Sequence, residues 1–230
     1  GQGSLRPTRS TARRRVVVAA DAFVVRLGAL LAQTPAGTMV HAGIKAAYDA
    51  ELAAVAAIPG VALAARAAGR GENRATEAQA ALLVADAAAF AESDRLGEEI
   101  YGPVTLAVRC GSRDELLAAA RRLSGHLTAT VHATEADLAE FPGLLPLLAR
   151  KAGRVVLNGV PTGVEVTHAM HHGGPWPATS DPRATSVGTA AILRFVRPVS
   201  FQDVPSAHLP EERQDANPRG IWRLVEARLG

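Results

Sequence analysis

Two carboxylates, an aromatic ring and a Gly-Pro pair run together at Glu98-Glu99-Ile100-Tyr101-Gly102-Pro103-Val104 and lead straight into an apolar stretch. A carboxylate at a strand entrance can accept hydrogen bonds from ribose hydroxyls while a neighbouring ring covers a flat heterocycle. A solvated acid pair ahead of a buried strand fits the same residues, and physics alone leaves the two readings level. His168, His171 and His172 form a second cluster, and imidazoles at i and i+3 or i+4 on a helix can clasp zinc. No acid lies between them to serve as a base, and Gly173-Gly174-Pro175 ends any helix at once. Loop or subunit-contact histidines are therefore the favoured reading, and no metal site is expected. Cys110 has no histidine after it until His126 to lower its pKa, so it reads as a buried structural thiol. There is no G-x-S-x-G elbow, and Gly69-Arg70-Gly71 lacks the third glycine of a dinucleotide fingerprint. The G-x-x-x-x-G-K-[ST] phosphate cradle is missing too.

Alternating strands and helices must position these groups. Val16–Ala20 reads as a buried strand, followed by a helix from Asp21 to Leu31 with Phe23, Leu27, Leu30 and Leu31 on one face. Ile44, Ala47, Tyr48, Leu52 and Val55 recur at helical spacing over 44–57, and Val61–Ala65 can form a strand. Ala81–Ala85 is open between helix and strand. Val104–Arg109 predicts a strand, 113–123 a helix, and Leu127–Ala133 a strand with Leu127, Ala129 and Val131 facing one way. Glu135–Arg150 predicts a helix broken or kinked at Pro142 and Pro146, and Val155–Leu157 a short buried strand. The pattern predicts an α/β domain with a mostly parallel sheet flanked by helices. The long Gly- and Pro-rich stretch 158–188 reads as a functional loop. Ile221, Trp222, Leu224 and Val225 could dock as a short amphipathic helix or belong to a stray extension.

The 230 residues are 48% hydrophobic and 20% charged, a balance that excludes wholesale disorder. No apolar run is long enough for a transmembrane helix, and a single cysteine excludes a disulfide framework and fits a reducing, cytoplasmic setting. The net charge of +3 comes from Arg6, Arg9, Arg13, Arg14 and Arg15; residues 16–230 carry 20 basic against 22 acidic groups, a net −2. A nearly neutral body argues against nucleic acid or a membrane as partner. Residues 1–15 are expected to be a disordered basic leader.

Several segments in order resemble the aldehyde dehydrogenase superfamily. Glu98–Val104 is similar to its E-E-[IV]-[FY]-G-P-V segment, Gly125–Val131 to the strand that follows, and Ala152–Gly159 to the next strand with its Asn. Pro161-Thr162-Gly163-Val164-Glu165-Val166, His171–Thr179 and Thr185–Thr189 resemble the branch that oxidises 2-oxoglutarate semialdehyde, as do Pro35–Met39, Ala42–Ile44 and Ala47–Asp49. The likeness covers roughly residues 16–212.

The resemblance implies a catalytic domain over 16–196, a subunit-pairing strand and extension over 197–212, and a charged tail over 213–230. In the family a thiolate attacks the aldehyde, hydride passes to NAD or NADP, and water releases the acid. Carried over, Glu99 would hold the nicotinamide ribose with Tyr101 beside it, and Pro161, Thr162, Gly163 and Val164 would line the aldehyde pocket. Asn158 would support its strand end. Gly1–Pro7 resembles the nucleophile segment, with Ser4 where the family has cysteine. A serine hydroxyl is nearly all protonated at neutral pH, and the family's coenzyme domain, general-base glutamate and oxyanion-stabilising asparagine all lie upstream of the resembling segments, so the isolated chain is expected to be inactive and to bind no coenzyme tightly. A homo-oligomer or a complementary coenzyme-domain half is the expected partner, with a small aldehyde as substrate. A non-catalytic oligomerisation module built on the same fold is the alternative. A metal-dependent hydrolase built on the histidines is a weaker third.

Overall fold

The computed structural model describes residues 13–18 (backbone only), 21–69, 76–163 and 165–229. They fall into two compact units, 1–191 and 192–230. In the first unit the chain runs β1 (Arg13–Val18), α1 (Asp21–Ala32), β2 (Gly37–Thr38), α2 (Ala42–Ala56), β3 (Val61–Arg66), β4 (Glu77–Ala78) and β5 (Ala81–Asp86). It continues through α3 (Ala87–Glu92), β6 (Val104–Cys110), α4 (Arg113–Arg122), β7 (His126–Val131), α5 (Glu135–Glu140), α6 (Leu144–Ala149) and β8 (Ala152–Leu157).

Four strands form the main sheet in the order β1-β6-β5-β3, and β7 and β8 form a second, two-stranded sheet. The β1–β6, β6–β5 and β7–β8 ladders are parallel; within the main sheet only the edge strand β3 runs antiparallel, and β2 and β4 form a short antiparallel pair of their own. The mostly parallel α/β architecture expected from the alternation of elements is present. Ala81–Ala85, which composition does not assign to helix or strand, belongs to the strand Ala81–Asp86 next to the sheet's antiparallel edge. Its alternate residues enter two different cores, so both faces are covered and the run is apolar without a break. Ala81, Leu83 and Ala85 pack with Tyr48, Leu52 and Val55 of α2 and Leu116 and Ala119 of α4. Leu82 and Val84 face Val24 of α1 and Ala107 of β6.

That second core corrects the face assigned to α1. Val24, Leu27 and Leu31 turn inward at i, i+3 and i+7, while Phe23 and Leu30 are exposed. Two apolar stripes compete on this helix, and the sheet selects the one that reaches β5. The basic leader also needs correction, because Arg13–Arg15 belong to β1 and pair in register with Thr105–Ala107. Parallel main-chain hydrogen bonds do not depend on side-chain charge, and a charged edge strand resists further pairing. Residues 1–12 lie outside the described residues.

Of the two positions expected to break or kink 135–150, Pro142 does so, at Phe141-Pro142-Gly143 between α5 and α6, whereas Pro146 is accommodated in the first turn of α6, where its missing N–H has no helical acceptor to lose. Thr134 and Asp137 close a reciprocal capping box on α5. Ala129 and Val131 pack on Leu147 and Leu148, but Leu127 is exposed at the strand's start. Strand β8 is less buried than expected, with Leu157 45% exposed, because one face has no helix over it among the described residues.

The second unit, described by itself, contains short 3-10 turns at Ser206–His208 and Glu211–Arg213 and a hairpin of β9 (Leu224–Val225) and β10 (Arg228–Leu229). Arg219 bridges Glu211 and Glu212, and Arg223 donates to the Gln214 carbonyl at 2.6 Å. The expected strand over 197–212 does not form within this chain, where Pro198, Pro205 and Pro210 each remove a ladder donor. The Trp222 region is hairpin rather than helix, since Asn217 and Gly220 hold left-handed φ values of 48° and 57°. No helix among the described residues is long and apolar enough to cross a membrane.

Candidate active site

The chain entering β6 is pinned on both sides. The Pro103 carbonyl accepts from Ala81 N–H at 2.9 Å, and Val104 N–H bonds Gly102 at 2.8 Å. Along this segment burial alternates: Ile100 and Gly102 face inward, Glu99 and Tyr101 outward. Gly102 lies against the Tyr48 ring so closely that a Cβ there would sit 2.1 Å from Cδ2. The ring is itself fixed, since Tyr48 Oη donates to the Gln79 carbonyl at 2.7 Å. Glu98 and Glu99, equivalent in sequence, are separated here. Glu98 pairs with Arg95, which also pairs with Glu51, whereas Glu99 makes no ion pair among the described residues. Glu99 and the 63%-exposed Tyr101 thus stand on one side of a rigid backbone, open to a ligand.

The second group of expected residues leaves β8. Asn158 holds a left-handed φ of 51°, which asparagine tolerates better than most residues. Its Nδ2 donates to the Ala133 carbonyl at 2.8 Å and its Oδ1 accepts from Ala133 N–H at 2.9 Å, extending the β7–β8 ladder by one side chain. Asn158→Ala is expected to lower stability by about 2 kcal/mol and Asn158→Gly by about 1, read from urea denaturation midpoints. Pro161, Thr162 and Gly163 follow in a turn; Val164 lies outside the described residues, as does Ser4. The two groups stand on separate sheets, Glu99 and Tyr101 ahead of β6 and the loop after β8, and no hydrogen bond joins them among the described residues.

Sequence reasoning missed Arg154. Its guanidinium donates to the Pro161 carbonyl at 2.7 Å and the Gly163 carbonyl at 3.2 Å. The available signal was one charged residue inside the otherwise small and apolar strand Ala152–Leu157.

The histidines serve the long loop. His172 Nδ1 lies 2.9 Å from Ser186 Oγ and His168 Nδ1 lies 3.0 Å from Thr189 Oγ1. Buried Thr185 accepts from His172 N–H at 2.8 Å and donates to the Val187 carbonyl at 2.6 Å. Among the described residues no three His, Cys, Asp or Glu side chains gather around a point that could hold a metal ion.

Cys110, at the end of β6, is 3% exposed. Burial, and then the Glu115 carboxylate, push its thiol from the ordinary 9.0 up to about 11. Burial likewise pushes the Tyr48 phenol from 10.0 up to about 12, with Arg66 opposing and Asp49 adding to it. Both groups hold their protons more tightly folded than unfolded. Their stabilising contribution is complete below the unfolded values and is lost as pH rises through about 11 and about 12. Circular dichroism followed upward from about pH 8 should show unfolding concentrated in that alkaline window.

No family model matches the chain. It is 45% identical over 210 residues to alpha-ketoglutaric semialdehyde dehydrogenase 2 of Azospirillum brasilense, covering 90% of this chain and 39% of that protein. It is 46% identical over 164 residues to the alpha-ketoglutaric semialdehyde dehydrogenase of Acinetobacter baylyi, covering 71% of this chain and 31% of that one. The chain belongs to the aldehyde dehydrogenase superfamily. Its fold agrees: the solved Delta-pyrroline-5-carboxylate dehydrogenase from Mycobacterium tuberculosis superposes with a TM-score of 0.63 at 17% identity, over 84% of this chain and 38% of that one. The chain thus spans only 31% to 39% of the length of these three dehydrogenases. It matches their C-terminal portion.

Proposed function

We propose that this chain is the aldehyde-gripping portion of an NAD(P)+-dependent dehydrogenase for a small semialdehyde, 2-oxoglutarate semialdehyde by likeness to its relatives. The observation that carries the reading is the pairing of an unneutralised carboxylate, Glu99, with an exposed ring, Tyr101, on a backbone locked by Gly102 and Pro103. These residues fit the ribose end of a nicotinamide coenzyme, Glu99 accepting from hydroxyls and Tyr101 covering the flat ring. The coenzyme, when bound, supplies the hydride acceptor. In this reading Pro161, Thr162, Gly163 and Val164 line the pocket for the aldehyde, and the Pro161 and Gly163 carbonyls are held by Arg154.

By itself the chain is catalytically inert in this reading. Its one thiol, Cys110, is buried and held protonated, so it supplies no thiolate at neutral pH. Ser4 occupies the cysteine position of the resembling segment and has too little alkoxide to replace it. With a single reduced thiol, the cytoplasm is the compartment that suits it.

The test is to mix the purified chain with 2-oxoglutarate semialdehyde and NAD+ or NADP+ and follow reduced-nicotinamide absorbance. No turnover is expected; sustained turnover would overturn the inert reading. The oligomerisation reading draws on the exposed Phe195, Val196, Val199 and Phe201 of the second unit, which favour pairing with another copy. Analytical ultracentrifugation over a range of concentrations tests that, and a monomer throughout would remove it.

A further inference from the structure

We propose that Arg154 is a positioning residue that sets the shape of the aldehyde loop, an inference that rests on the pocket reading above. Among the described residues the stretch after β8 has no strand or helix until Thr189, so little regular main-chain hydrogen bonding fixes it there. Arg154 supplies the missing order from outside the loop. One terminal nitrogen donates to the Pro161 carbonyl at 2.7 Å, and the other to the Gly163 carbonyl at 3.2 Å and toward Met170 Sδ at 3.8 Å. Carbonyls two residues apart are thereby turned toward one planar fork, with Thr162 between them left exposed. Nε is buried without an acceptor, and no carboxylate pairs with the guanidinium among the described residues. The charge is therefore directed at neutral carbonyls, where charge-assisted donation is strong, rather than neutralised in an ion pair. A lysine carries the same charge but offers one nitrogen, and it cannot span two carbonyls with the rigid geometry of the fork.

The base of the device is firm as well. Strand β8 is paired in parallel with β7 from Ala152 to Leu157, and Asn158 ties its end to Ala133. The guanidinium thus projects from an ordered strand onto a turn outside regular secondary structure. Small misplacements of substrate-positioning groups have large consequences, which makes this side chain a determinant of how the loop meets its ligand.

Nitrogen-15 relaxation on the full chain tests this, with Arg154→Met removing the fork and Arg154→Lys keeping the charge without it. In the wild type the Thr162 and Gly163 amides should be rigid, with order parameters of about 0.8 or more, falling below about 0.6 in both variants while β5 and β6 stay rigid. Each protein is then titrated with 2-oxoglutarate, read from the same two amides. The dissociation constant should rise at least about 10-fold in both variants. A loop already loose in the wild type, or still rigid in Arg154→Lys, overturns the proposal, even if Arg154→Met fails to fold. A loop that loosens while 2-oxoglutarate binds unchanged overturns the positioning role and leaves the pocket standing. Absence of any perturbation in the wild type removes the pocket reading, and this proposal with it.

Discussion

Gly102→Ala should destabilise the chain by more than about 3 kcal/mol, whereas Gly143→Ala should be nearly neutral. An added Cβ at Gly102 would lie 2.1 Å from Tyr48 Cδ2 and 2.7 Å from Cε2, well inside van der Waals contact. Relief would normally come from rotating the neighbour, but this ring is 1% exposed and tied through its hydroxyl to Gln79. Gln79 is committed in turn, since its Nε2 donates to the Ala67 carbonyl at 2.6 Å. The backbone of Gly102 is equally unfree, because Pro103 and Val104 register β6 against β5. The strain must therefore move either the α2 core or the strand entrance that presents Glu99 and Tyr101. At Gly143 nothing lies within 4 Å of the added carbon, so the same chemical change meets open space. Urea denaturation of the three proteins in parallel checks this; matching midpoints for the wild type and Gly102→Ala would refute the contact.

Gly153→Ala is expected to cost a comparable amount, about 3 kcal/mol or more, by a different route. Here the obstacle is main chain: the new Cβ would sit 2.0 Å from the Gly173 carbonyl oxygen and 2.6 Å from its carbon. No rotamer change can open that space. Gly125 makes the same kind of approach to the Pro175 oxygen at 2.1 Å, so the 173–175 backbone lies directly on the starts of β7 and β8. Lifting it would release the loop whose far end is held by Thr185 and His172. Limited proteolysis should then cut within 159–188 far faster in the variant than in the wild type, while β5 and β6 survive. Equal cleavage rates would show that the loop does not depend on this seat.

The local pattern of the candidate site is legible in the sequence, although its roles are not. The Glu98–Val104 segment could be read because its types and order are local: acid, ring, turn and strand follow one another without help from distant residues. Residue types alone do not separate the two glutamates; only the family resemblance picks out Glu99. Arg95 and Glu51 decide which of the two is engaged, and Glu51 comes from α2. The buried nature of Cys110 followed from its place at the end of an apolar strand, while its raised pKa needed the depth of the core and Glu115. Arg154 stands out in the sequence only as a lone charge in an apolar strand, and its partners could not be read because they are backbone carbonyls, which carry no side-chain signature.

By itself the sequence determined the alternation of strands and helices, the break between α5 and α6, and the family, since each rests on short-range pattern or on order along the chain. Tertiary structure alone decided which stripe of α1 is buried, that Arg13–Arg15 join a sheet, and that Val155–Leu157 keep an open face. The physical reason is common to all three: burial and strand pairing depend on what stands opposite, and the partners here are separated by tens of residues along the chain. A stretch of chain states what it can do locally, and the surfaces that meet it select among those options.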